Sequence, residues 1–350
     1  MNLKTNNFLL IGLVFFLFTC SEKEFEGMPI ENLYGEFKIL EPFEINNGNP
    51  NFSINELVNF HCEFSKPVEY KITIEGISTK AKREISGFSN LIDSSLTEWD
   101  GSPSKLPFFS DEFCSIELTF EDQIDTIRDT LKILSAKMFN DGIWFEDFED
   151  GLPEDALIAY NKDGGELTFT TANDSALLGS SYFKMGGKVN WEWNIGKIDF
   201  ELDLNKVNET ADDFFLNIGI LSDLEDFHSG QFINILISEE TQIPFNDILT
   251  NDASDLFESN MEVYKIKVPV DWNGWEIKSF RYSDFEPVSP NNPAIDFNMN
   301  PKDISAIRIS CQACPSSPGN PICPENFGKI VRTDIDHIMF TANTDIFKMK

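Results

Sequence analysis

The run VNFHCEFSKPVEYKITI, residues 58–74, decides the fold. Val58, Phe60, Cys62 and Phe64 alternate with polar residues, and Val68, Tyr70, Ile72 and Ile74 do so again beyond Lys66-Pro67. Side chains of an extended strand point to opposite faces in turn, so this alternation puts one face in a core and the other in water. The run reads as two half-buried strands divided by a turn at Lys66-Pro67. Cys114, Ile116, Leu118 and Phe120 repeat the pattern, and 130–134 makes a last short run. Asn47-Gly48, Glu75-Gly76 and Asp100-Gly101 supply turns, and no window carries a helical period. Residues 34–137 are therefore expected to form a small all-β sandwich.

The same reading extends through 138–350. Strands are expected at 166–171, 181–185, 197–204, 214–221, 231–238, 263–270, 275–280, 306–310 and 336–341, after an opening run from Ile143. About ten short strands separated by turn residues indicate a jelly roll or a similar two-sheet sandwich. Residues 291–301 and 312–326 are loops rich in Pro, Asn and Ser, and 239–260 holds a short helix or an ordered loop.

The first residues carry an address instead of a fold. Lys4 precedes an apolar run from Phe8 to Phe18, followed by Leu17-Phe18-Thr19-Cys20. A basic start, a short apolar stretch and a cut site make a secretory signal peptide. The stretch falls short of the roughly 20 apolar residues that span a bilayer. The cysteine at the cut resembles a bacterial lipoprotein signal, with Leu17 in place and Phe18 departing from the usual small residue. That resemblance implies a signal peptide over 1–19, lipid on Cys20 and a tether over 20–33. An ordinary secreted protein with a free Cys20 is the other reading. The acidic leader Ser21-Glu22-Lys23-Glu24-Phe25-Glu26 leans towards display on the outer membrane's outer face.

The formal net charge is −32. Such a surface repels phosphate backbones, so nucleic acid is excluded as a partner, and anionic polysaccharides are disfavoured. Neutral ligands suit it, and converging carboxylates can hold calcium. An exported chain meets an oxidising compartment, where Cys62, Cys114, Cys311, Cys314 and Cys323 are an odd set.

Family resemblances rest on particular pieces. Cys62 and Cys114 lie on inward strand positions, and a bridge between them would resemble the inter-sheet pin of immunoglobulin-like domains; two buried thiols that never meet is the alternative. Trp99-Asp100-Gly101 is similar to the turn of bacterial immunoglobulin-like repeats. Phe145-Glu146-Asp147-Phe148-Glu149-Asp150-Gly151, then Trp272-Asn273-Gly274-Trp275 with Ser283-Asp284-Phe285, then Asp334-Ile335-Asp336-His337-Ile338-Met339-Phe340, resemble in order the landmarks of galactose-binding-like carbohydrate-binding modules. An immunoglobulin-like domain leading to such a module on a lipid tether resembles the surface glycan-binding lipoproteins of bacterial polysaccharide-uptake systems. The resemblance implies glycan capture for an outer-membrane importer, without catalysis, and a structural Ca2+ on Asp147, Glu149 and Asp336. Solvated acidic faces are the plain alternative for those carboxylates.

Sugar binding needs flat apolar faces for pyranose C–H groups, and amides or carboxylates for hydroxyls. Asn190-Trp191-Glu192-Trp193-Asn194 offers both, since Trp191 and Trp193 share a face on a strand, and the alternative is that both are core. Trp272 and Tyr282 form a second aromatic group with Trp275, which alternates with Ile277 and reads as core, while Trp272 sits in a turn and reads as exposed. Cys311, Cys314 and Cys323 would need a fourth ligand such as His337 to hold zinc. A disulfide within that proline-rich loop, Cys314 to Cys323, is the favoured reading. With three histidines, no HExxH pair and no Gly-x-Ser-x-Gly elbow, the common hydrolase signatures are absent. A structural or adhesin protein, and a glycoside hydrolase or lyase with paired carboxylates, are the competing functions.

Overall fold

The computed structural model describes residues 35–121, 126–154, 156–160, 166–174, 176–189, 194–223, 230–239, 262–288, 290–291, 293, 295–313 and 328–343. Five strands, β1 (Ile39–Ile45), β2 (Phe60–Gly76), β3 (Lys82–Ile92), β4 (Phe113–Phe120) and β5 (Thr126–Lys132), form one antiparallel sheet in the order β1-β2-β4-β5, with β3 on β2. The two strands expected from 58–74 are a single bent one. Between Glu63 and Val68, β2 advances five residues while β3 advances two, from Leu91 to Ser89. The surplus residues bulge at Lys66-Pro67, where a proline is tolerated because the ladder is interrupted. The strand turns so sharply there that the rings of Phe64 and Tyr70 lie 6.5 Å apart. Six residues of straight strand would span about 20 Å. The sheet thus curls around its own core of Phe60, Phe64, Ile72, Ile74, Ile116, Leu118 and Trp99, in place of two separate sheets.

Trp99 is fully buried between Phe52 and Phe109, edge-on to both, and its indole N–H donates to the Ser102 carbonyl at 3.0 Å. Gly101 holds φ +88°, and a Cβ there would meet the Phe52 ring at 2.7 Å, so the Trp-Asp-Gly turn needs its glycine. The expected bridge between Cys62 and Cys114 does not form: both are buried free thiols. Cys114 pairs in register with Gly76, at the far end of β2 from Cys62, which instead donates its S–H to the Glu41 carbonyl at 3.3 Å. Burial pushes the Cys62 thiol up to about 11 and the Cys114 thiol up to about 12.

The rest of the chain is a two-sheet antiparallel sandwich. Its strands are β6 (Trp144–Glu146), β7 (Leu157–Tyr160), β8 (Glu166–Ala172), β9 (Tyr182–Lys188), β10 (Asn194–Glu201), β11 (Phe214–Ser222), β12 (Gln231–Ser238), β13 (Val263–Pro269), β14 (Gly274–Arg281), β15 (Glu286–Pro287), β16 (Ala306–Ala313), β17 (Ile330–Arg332) and β18 (Asp334–Ala342). One sheet has six strands in the order β15-β13-β12-β16-β10-β7. The other has seven, β14-β11-β18-β9-β17 with β6 on β18 and β8 on β9. From β9 to β14 the chain passes repeatedly from one sheet to the other, as a jelly roll requires. Between the sheets lie Phe183, Ile198, Phe200, Phe214, Leu216, Ile218, Ile235, Ile309, Ile335 and Phe340.

The first domain closes the outer face of the seven-stranded sheet. The Phe108 amide donates to the Leu177 carbonyl at 2.9 Å, and Phe108 packs with Leu177, Leu178, Leu106, Phe139, Phe145, Trp275 and Ile277. Trp275 and Ile277 share a face, as their alternation predicts. That face is the outer one, and Trp275 is half-buried at the junction instead of lying in the sandwich core.

Candidate functional site

The six-stranded sheet keeps its other face for polar groups. On β10, β12 and β16 the residues Ile198, Phe200, Ile233, Ile235, Ile237, Ile307 and Ile309 turn inward. Their neighbours Lys197, Asp199, Asn234, Leu236, Arg308 and Ser310 turn outward. Register aligns them in rows: Lys197 opposite Ser310, Ser310 opposite Asn234, Asn234 opposite Lys267. One level along, Asp199 faces Arg308, which faces Leu236. At the end of the sheet, Gln312 lies opposite both Asn194 and Phe232.

At the centre of this face is a buried ionic cluster. Arg308 grips Asp199 with two hydrogen bonds, Nε to Oδ1 at 2.8 Å and Nη2 to Oδ2 at 2.9 Å. The Lys197 ammonium donates to the same carboxylate at 2.5 Å. Lys197 and Asp199 are fully buried and Arg308 nearly so. Burial pulls the Lys197 ammonium down to about 8, and the Asp199 charge opposes that fall. A bidentate pair without solvent holds its strands in one geometry, which fixes the amide row beside it. Asn194, Asn234 and Gln312 are half-buried in that surround. The Asn194 Oδ1 is buried and has no hydrogen-bond partner among the described residues. Lys267 Nζ stands 3.7 Å over the Phe232 ring at the same edge.

The residues singled out from sequence separate into groups. Asn194 opens β10 on this face. Asn190, Trp191 and Trp193 immediately precede it but lie outside the described residues, as do Cys20, Cys314 and Cys323. Trp272 belongs to the same end of the sandwich, because β13 leaves the sheet beside Phe232 and Val270 donates to the Gln231 carbonyl. It is half-buried instead of exposed: its N–H donates to the Ile220 carbonyl at 3.3 Å, and Lys278 Nζ covers its ring at 4.1 Å. Tyr282 is not a surface residue. A short 3-10 turn after β14 carries its ring into the core, edge-on to Phe214, Tyr264 and Phe285, with its hydroxyl donating to Glu239 at 2.8 Å. Those contacts sit at the opposite end of the sandwich from Trp272.

The three carboxylates expected around calcium accept hydrogen bonds from backbone amides. Asp336 Oδ2 accepts from Leu177 and Leu178 at 2.8 and 3.2 Å, and Oδ1 from its neighbour His337 at 2.7 Å. Glu149 accepts from the amides of Ser180 and Ser181 and from the Ser180 hydroxyl. Asp147 accepts from the Glu149 amide. Among the described residues no three His, Cys, Asp or Glu side chains converge. Asp336 and Glu149 thereby pin the 177–181 loop over β18. Nor is a zinc set assembled: Cys311 faces the sandwich core, while the His337 ring lies between Phe108 and Phe145 at the junction.

No family model and no curated protein matches the sequence. Among solved structures, one reported for the promiscuous specificity of carbohydrate-binding modules of the β-sandwich superfamily aligns at 11% identity over 88% of this chain and 98% of its own, with a TM-score of 0.36. The tandem CBM22 domains of Paenibacillus barcinonensis Xyn10C align at 9% identity over 87% of this chain and 93% of theirs, with a TM-score of 0.34. The surface glycan-binding protein PbSGBP-B of Prevotella bryantii aligns at 11% identity over 88% of this chain and 77% of its own, with a TM-score of 0.36.

Asp199, Arg308, Asn234, Phe232 and Gln312 were not singled out from sequence. A signal was present: β10 (NIGKIDFE) and β16 (AIRISCQA) each carry charges in the middle of strands apolar on the alternate positions. Opposite charges set so deep in two core strands point to a buried pair between neighbours.

Proposed function

We propose that this chain is a non-catalytic glycan-binding lipoprotein of the bacterial cell surface. Its ligand is a neutral polysaccharide or oligosaccharide, taken at the Asn194–Gln312 end of the six-stranded sheet. The carrying observation is the group of amides Asn194, Gln312 and Asn234, in two neighbouring rows beside the buried Asp199–Arg308–Lys197 cluster. Amides both donate and accept, which matches sugar hydroxyls. Trp191 and Trp193, adjoining Asn194 in sequence, supply the stacking surface in this reading, with Trp272 at the same end. Lipid on Cys20 tethers the chain to the outer membrane, and captured glycan passes to an outer-membrane importer. Tethering many copies offsets weak single-site binding.

The test is a glycan array with the purified ectodomain, followed by affinity electrophoresis of Trp191→Ala, Trp193→Ala and Asn194→Ala. Loss of retention with an unchanged melting temperature is expected. Binding only to sulfated or uronate-rich chains, or to none, contradicts the reading. Cys20→Ser is expected to move the protein out of the membrane fraction.

A further inference from the structure

The junction between the two domains holds a groove of its own, of about 620 Å³. One wall is Asp100 to Leu106 and Phe108 of the first domain, and Lys137 and Phe139 of the connector. The other is Asn273, Trp275 and Glu276, where β14 begins. The volume falls within the range of small-ligand sites, which cluster at domain interfaces.

The walls are rigid for stated reasons. The Phe108–Leu177 backbone bond and the apolar cluster beneath it lock the two domains together. Trp275 is held edge-on by Tyr182 at 5.7 Å, yet remains half-exposed, as does Phe139. Two aromatic rings therefore line one groove: Trp275 at the start of β14, and Phe139 of the connector, which packs on Phe108 at 4.3 Å with Lys137 Nζ 5.3 Å from its ring. Around them stand hydrogen-bonding groups: Ser102, Ser104, Asn273, Asp100 and Glu276. Both carboxylates are already paired. Asp100 accepts from Lys137 Nζ at 2.5 Å, and Glu276 accepts from Lys278 Nζ at 2.5 Å. Desolvation opposes the Asp100 charge, but the Lys137 and Ser102 bonds outweigh it, and its carboxyl is held below the usual range. A groove with aromatic faces, hydroxyl and amide groups, and paired charges matches an uncharged, hydroxyl-rich ring.

We propose that this junction groove is a second carbohydrate site, taking a short neutral segment against Trp275 and Phe139. It is separate from the sheet face, on the opposite side of the sandwich, so one chain can hold a polysaccharide at two points or hold two strands at once. The proposal rests on the glycan-binding reading above but names different residues, which allows the two to fail separately.

The experiment is affinity electrophoresis of the full ectodomain in gels containing soluble arabinoxylan, mixed-linkage β-glucan, galactomannan or pullulan. Trp275→Ala removes the stacking surface. Because Trp275 also packs at the junction, Lys105→Trp provides a second variant: Lys105 is exposed on the groove wall, and an indole there fills the space without removing a core contact. Both variants are expected to weaken retention on the gel that retards the wild type, by about tenfold in apparent affinity. Asn234→Ala with Gln312→Ala is expected to leave a residual retention that Lys105→Trp then abolishes. If Lys105→Trp and Trp275→Ala run as the wild type while the sheet-face variant loses all retention, the groove site is wrong and the sheet-face reading stands. If the wild type is retarded on no gel, both are wrong.

Discussion

The two outer faces of the second domain are built from different chemistry. The seven-stranded sheet turns Trp275, Ile277, Asp336 and Tyr182 outward, and a neighbouring domain and the 177–181 loop cover them. The six-stranded sheet turns out Lys197, Asp199, Asn234, Arg308 and Ser310, charged or polar to a degree that no core tolerates unless every group is paired. Apolar groups close one face at the junction, whereas on the other a buried ion pair ties neighbouring strands together.

The largest effect is expected on the polar face. Asp199→Ala leaves Arg308 and Lys197 buried without a counter-charge and should cost about 3–5 kcal/mol, read as a fall in the urea midpoint. Replacing Asp199 by Leu, Arg308 by Met and Lys197 by Met together should restore much of that stability while glycan retention stays lost. Recovery of binding by this triple variant would show that the cluster has no part in shaping the face.

At the junction, Phe108→Ala should cost about 3 kcal/mol, at the lower end of buried Phe truncations, because its ring lies in a smaller cluster than the main core. Calorimetry should then show the two domains melting apart. A single unchanged transition would mean that the junction contributes little.

His337 sharpens the comparison through pH. Its ring is buried at the junction, neither nitrogen finds a partner among the described residues, and burial pulls its pKa down to about 4. The unfolded chain binds a proton near pH 6.5 and the folded chain does not until about pH 4, so stability falls as pH drops through that window. The slope from this group approaches about 1.4 kcal/mol per pH unit. Glu239, raised to about 7 by burial, acts in the opposite sense, since its folded form keeps a proton that the unfolded form has lost. The difference between wild type and His337→Phe isolates the histidine: the variant should lose less stability on acidification from pH 6.5 to 4. Parallel pH profiles would contradict the assignment.

Much of the second domain was legible because its strands obey one period. Observed limits at β8 to β14, β16 and β18 lie within three residues of those read from alternation. β3 escaped because its apolar residues Ile85, Phe88 and Leu91 fall three apart, as an edge strand with little burial allows. The bend in β2 escaped because Lys66-Pro67 looks the same in a turn and in a bulge, and only cross-strand register separates them. The placement of the candidate site residues was legible only in part. Asn194 and Trp272 fall at one end of the sandwich, but Tyr282 is core, because alternation gives the face of a strand and not the direction of the turn that follows it. The amides that Glu149 and Asp336 hold come from residues some thirty to more than a hundred and fifty positions away, which no local pattern displays.

The most direct test of the central claim is the affinity of the Asn234→Ala, Gln312→Ala double variant for a neutral polysaccharide that retards the wild type, with its melting temperature measured alongside. Two lost hydrogen bonds should weaken binding at the sheet face by about ten- to a hundredfold, with the melting temperature nearly unchanged. Full wild-type affinity in a folded double variant would contradict the account.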